Sequence, residues 1–143
     1  MSILANYLAQ LIKAQLNGEK PVSVPEEIQV EDLIHLSCKN HMEYLVMGAL
    51  LKTDGISEEI QGILRSHVMR SIVRTTTQIM DLKEIIRRFE EKKIVNQPMK
   101  GAQMKFIYPS PEMREMSDID ILIRYDCMDR AAEELKDMGY VLE

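Results

Sequence analysis

Ser117-Asp118-Ile119-Asp120-Ile121-Leu122-Ile123 alternates acid and apolar residues and then runs apolar to its end. A period of two marks a strand with one buried face, and it predicts β structure over 118–123. In a strand, residues i and i+2 point the same way. Asp118 and Asp120 should therefore project together while Ile119, Ile121 and Ile123 turn into a core. Two adjacent carboxylates repel, and a divalent cation between them relieves that cost. Hard Mg2+ favours one or two carboxylates completed by phosphate oxygens and water. Surface strands also carry alternating acids toward solvent, so a solvated strand is the commoner reading of the triplet alone.

Outward from this strand the chain is punctuated by Pro and Gly. Ile94-Val95 reads as a short strand and Gly101 to Tyr108 as a short helix, joined through Gln97-Pro98-Met99-Lys100-Gly101, where free backbone N–H groups can meet a phosphate beside the Lys100 charge. Tyr108-Pro109-Ser110-Pro111-Glu112-Met113-Arg114 is a stiff loop, and its Arg114 either reaches a triphosphate or pairs with the nearby acids. Asp129 to Met138 is helical and closed by Gly139, after which Tyr140-Val141-Leu142 begins another strand.

Before residue 93 the texture is helical. Ile3, Leu4, Tyr7, Leu8, Leu11 and Ile12 recur at helical spacing up to Asn17-Gly18. A second helical region reaches about Lys52 and divides near Lys39-Asn40. Ser57 then caps the longest helix, which runs to about Lys92 with Ile60, Leu64, Val68, Ile72, Ile79, Leu82, Ile86 and Phe89 on or near one stripe. Arg65, Arg70, Arg74, Lys83, Arg87 and Arg88, interspersed with Glu84, Glu90 and Glu91, read as a solvated face with i,i+4 pairing, a polyanion patch being the alternative. The expected fold is α+β: a helical bundle over 1–92 followed by a truncated α/β core over 93–143.

Composition narrows the class. The 143 residues are 45% hydrophobic and 29% charged, the proportions of a soluble globular protein, and 18 basic against 23 acidic residues give a net charge of −5. With no Trp, two Phe and five Tyr, the chain lacks the charge and the stacking platforms of a general nucleic-acid binder. No run approaches the roughly 20 apolar residues that span a bilayer, and no secretory leader is evident, so a cytoplasmic location without membrane partners is expected. Cys38 and Cys127 form no CxxC pair, and no disulfide is assumed. His35, Cys38 and His41 spread over about 600° of helix, poor zinc geometry that favours packing or turn roles. The Met residues, among them Met99, Met104, Met113, Met116 and Met128, read as core filling.

The ordered series Met99-Lys100-Gly101, Tyr108-Pro109, Arg114, Ser117 to Ile123, Arg130-Ala131, Leu135 and Gly139-Tyr140 resembles the uncharacterised nucleotidyltransferase family of the DNA polymerase beta-like superfamily. The front half resembles it more loosely, through Asn40-His41 and the apolar run Leu45 to Leu51. By that likeness Lys100, Gly101 and Ser117 lie at the phosphates of a nucleoside triphosphate, Asp118 and Asp120 bind Mg2+, and Arg114 stabilises developing charge. The implied reaction moves a nucleoside monophosphate to an unknown acceptor with release of pyrophosphate. The superfamily's usual Gly-Ser stands here as Gly101-Ala102, and its third acid comes from a strand after Tyr140, whereas the sequence closes at Glu143. Two outcomes follow: a piece of a longer enzyme, or a short form lacking one catalytic ligand. The rival reading is a non-catalytic nucleotide-binding or protein-interaction module, such as an antitoxin-like partner. An unfinished sheet edge also invites a homodimer or a partner protein. A helical domain with an incidental acidic strand is the remaining alternative.

Overall fold

In the computed structural model, which describes residues 2–141, helix α1 spans Ile3–Asn17. The Ser2 hydroxyl accepts the Ala5 N–H at its start, and Gly18 ends it with φ 69°, a left-handed turn that costs glycine no side-chain clash. Helices α2, Val30–Lys39, and α3, Glu43–Leu50, divide at the expected place. His41 takes φ 52° in the turn between them. Helix α4 runs Glu58–Glu91, with the Ser57 hydroxyl accepting the Ile60 N–H.

The buried side of α4 carries Leu64, Ser71, Thr75, Leu82, Ile85 and Phe89. Ile72, Ile79 and Ile86, expected on that stripe, are only partly buried. The stripe is offset because two of its positions are hydroxyl residues, which carry no hydropathy signal. The outer face behaves as a solvated, paired one: Arg87 reaches Glu84 and Glu91, Arg88 reaches Glu84, and these guanidinium groups, Arg87 first, pull the Glu84 carboxyl down to about 2.

Two compact units are present. The first comprises Met1–Thr75 with Lys105–Glu115. Its core joins Tyr7 and Leu11 of α1, Leu33 of α2, Val46, Met47 and Leu50 of α3, and Leu64 of α4. The second comprises Thr76–Met104 with Met116–Glu143. It holds strands β1, Asn96–Pro98, and β2, Ile121–Ile123, the short helix α5, Gly101–Met104, and α6, Met128–Asp137. Its core is Ile85, Phe89, Ile94, Cys127 and Ala131, with Ile121, Ile123 and Leu135 packed against it. The change of texture near residue 93 coincides with the end of α4, whereas these units draw on both sides of it.

The strands form one antiparallel pair in the register Asn96↔Ile123, Gln97↔Leu122, Pro98↔Ile121. Both differ from expectation. Ile94 is not in a strand, because its N–H closes the end of α4 on the Phe89 carbonyl, with Lys93 at φ 53°. The acidic strand is shorter than 118–123 because β1 ends at Pro98. The last cross-strand bond is Met99 N–H to the Asp120 carbonyl, and Lys100 then turns away at φ 47° into α5. The expected helix from Gly101 is α5 followed by a 3-10 turn at Lys105–Ile107. Gly139, at φ 92°, closes α6, while Tyr140 and Val141 lie in no strand and the rest of that expected strand falls outside the described residues. Mostly helical with a two-stranded sheet, the chain is α+β. No helix among the described residues is long and apolar enough to cross a membrane.

Candidate functional site

The antiparallel register brings the two ends of the motif region together. Lys100, just past β1, and Asp120, just before β2, meet with Nζ and Oδ1 3.2 Å apart. The lysine side chain is 69% exposed and the aspartate 32%, so the pair is open to solvent and to an incoming ligand. Lys100 holds its left-handed backbone without being glycine, a conformation that L side chains adopt at a cost.

Asp118 is placed differently. It sits in a bend rather than a strand, accepts the Ser117 hydroxyl at 3.3 Å, and is exposed. The strand period therefore does not carry Asp118 and Asp120 to one face. Asp118 and Ser117 line a groove of about 410 Å3 whose apolar walls are Ile85, Phe89, Ile119, Ile121, Ile123 and Leu135. Asp120 is not among its lining residues. Gln78 and Asp81 of α4 border the same groove, and Gln78 is fixed by donating to the Met116 carbonyl at 2.9 Å.

Gly101, the expected phosphate-turn residue, is buried. A Cβ on it would lie 3.0 Å from the Met116 Cβ and 3.3 Å from its sulfur, so packing against Met116 keeps this position bare.

Arg114 belongs to the segment that packs within the first unit. Its guanidinium donates to the Glu115 main-chain carbonyl at 2.8 Å. The Glu115 side chain, 2% exposed, accepts the Tyr44 N–H at 2.8 Å and the Ser71 hydroxyl at 2.9 Å, and pairs with Arg74. Glu43, 3.8 Å from Arg74, leaves one carboxylate oxygen buried without a partner, and burial followed by the adjacent Glu115 pushes its carboxyl up. Lys105 is wholly buried with an unpartnered amine, and burial pushes its ammonium down.

With this geometry in place, the comparison with known families is decisive. A family model described as "Uncharacterised nucleotidyltransferase" matches residues 26–143. The chain belongs to this family. No curated protein and no solved structure matches it. Membership in a nucleotidyltransferase family implies a nucleotide substrate.

Among the described residues no three His, Cys, Asp or Glu side chains are grouped to hold a metal, so a cage made of protein ligands alone is not built here. Asp118, exposed, and Asp120, partly buried, are hard oxygen donors, and Mg2+ ordinarily completes carboxylate ligands with substrate phosphates and water. Their chemistry is that of ligands to an ion arriving with phosphates, while the bend at Asp118 keeps the two carboxylates off a common strand face.

Sequence reading missed the polar residues that organise the surroundings. Ser71 and Thr75 betray themselves only by standing seven residues, two helical turns, from Leu64 and Leu82 respectively. Glu115, between Arg114 and Met116, carries no local signal at all, because its partners lie 41 to 71 residues away.

Proposed function

We propose that the chain performs Mg2+-dependent nucleotidyl transfer, with residues 93–143 forming part of a nucleotidyltransferase-like α/β core. The contact of Lys100 with Asp120 carries this reading, because it joins the phosphate-turn lysine and a metal-binding carboxylate of a family nucleotidyltransferase in one solvent-open place. Lys100 offers an ammonium to the triphosphate, and the backbone turning at Gly101 admits its close approach. Ser117 supplies a hydroxyl beside Asp118. Asp118 and Asp120 supply oxygen donors for the ion. When bound, Mg2+ would neutralise phosphate charge and polarise the α-phosphorus. An acceptor hydroxyl oxygen bonds to that phosphorus and yields its proton to water, the bond to the bridging oxygen breaks, and pyrophosphate leaves with the electron pair.

The rival reading is a form that binds nucleotide without turning it over. Calorimetric titration of a non-hydrolysable nucleoside triphosphate, with and without Mg2+, tests both. Binding that requires the ion and is lost in Asp118→Ala and Asp120→Ala supports the site. Pyrophosphate release from the hydrolysable nucleotide then separates enzyme from binding module. A folded chain that takes up no nucleotide overturns both.

A further inference from the structure

We infer that Gln78 is a positioning residue for Asp118, a role that rests on the nucleotidyl-transfer reading. Asp118 and Asp120 are close in sequence but are held by different means. Asp120 sits just before β2, and its carbonyl is fixed across the hairpin by the Met99 N–H at 2.9 Å. Asp118 has no such support. Met116 to Ile119 lie in no helix or strand, and among the described residues none of them makes a hydrogen bond to another part of the backbone through its own main chain. The Ser117 hydroxyl bonds its neighbour Asp118, so it anchors the stretch to nothing outside. The hydrogen bond that does reach the stretch from outside is the donation of Gln78 Nε2 to the Met116 carbonyl. Gln78 belongs to α4, where regular helix fixes its backbone, and it lies in the same unit as Met116, Asp118 and Gly101. Met116 passes the restraint in two directions. Its side chain packs on Gly101, where a Cβ would come within 3.0 Å of the Met116 Cβ, and its main chain leads through Ser117 to Asp118. One anchored residue thus ties the start of the Asp118 stretch to the turn that bears Lys100 and Gly101.

Stability alone does not account for an amide at this position. The Gln78 Oε1 is buried without a partner, and a buried acceptor left unsatisfied destabilises the fold. Turning the amide over gives no relief, since it would set oxygen against the Met116 carbonyl. Met, an apolar side chain of similar length, avoids the unsatisfied oxygen and gives up the tether. The tether matters to an ion site, because a carboxylate already held in place loses less freedom when Mg2+ arrives than one that must be ordered on binding.

Two readouts on the whole chain test the assignment. Calorimetric titration of a non-hydrolysable nucleoside triphosphate at a series of Mg2+ concentrations reports the ion site, and backbone 15N relaxation compares the mobility of Asp118 with that of Asp120. Gln78→Met should weaken nucleotide binding roughly tenfold, the worth of one hydrogen bond, and raise the half-saturating Mg2+ concentration by a similar factor. The Asp118 amide should become mobile while the Asp120 amide, held by the hairpin, stays rigid. Gln78→His, read at about pH 8 where the imidazole is neutral, keeps an N–H donor of similar reach and should restore most of the affinity and the rigidity. If Gln78→Met does not fold, Gln78→Asn, whose amide is one methylene too short to meet the carbonyl, takes its place. A folded variant without the tether that binds as the wild type does overturns the inference. So does a loss of affinity in which Asp118 stays rigid, or in which Asp118 and Asp120 loosen alike. Each of these leaves the transfer reading intact, whereas a folded wild-type chain that binds no nucleotide sinks that reading and this role with it.

Discussion

Glu43 and Lys105 are the two side chains whose chemistry is least comfortable. Each buries an ionisable atom without a partner. The Glu43 carboxyl titrates above its unfolded 4.5, so between those two values the folded chain holds more protons than the unfolded one. Stability is thus greatest below the unfolded value and falls as pH rises through the folded one. Glu43→Gln should remove that slope and raise stability at neutral pH by on the order of 1 kcal/mol, visible as melting curves recorded across mildly acidic pH. Lys105 has the opposite sign. Its ammonium titrates below 10.5, so stability rises with pH between its folded and unfolded values. Lys105→Met keeps the length of the chain without the charge and should stabilise the fold at neutral pH by about 1–3 kcal/mol in denaturant titration. No gain there would mean that the amine has a partner which only water supplies.

At the scale of elements, helices were easy to read and the hairpin was not. Asn17-Gly18, the division at Lys39-Asn40 and the Ser57 cap all follow from the local chemistry of helix ends, which needs only a few consecutive residues. β1 and β2 are three residues each, and their limits depend on a partner strand elsewhere in the chain. Pro98 lacks an N–H and Lys100 bends away, so Asp118 loses its pairing although its own sequence alternates as a strand should. The motif residues were therefore identifiable while their relative placement was not. The turn from β1 to α5 offers a test that separates fold from function. Lys100→Gly relieves a left-handed backbone that costs an ordinary residue about 1–2 kcal/mol, part of which is returned by the greater freedom of an unfolded glycine. Thermal stability should hold or rise, while affinity for Mg2+-nucleoside triphosphate falls. Loss of both together would show that Lys100 serves the turn and not the ligand.

For the molecule as a whole, composition and the ordered series from Lys100 to Tyr140 were enough to place the chain in its family, because those residues recur at set distances along the sequence. The grouping into units was beyond that kind of reading. Helix α4 contributes Leu64 to one core and Ile85 and Phe89 to the other, and residues 105–115 leave the second unit to complete the first. The backbone passes from one unit to the other after Thr75, again after Met104 and again after Glu115. Neither unit is encoded by one uninterrupted stretch of gene. A single recombination break anywhere in the coding sequence leaves at least one of them incomplete, so these two halves are inherited as one piece and are poor currency for domain shuffling.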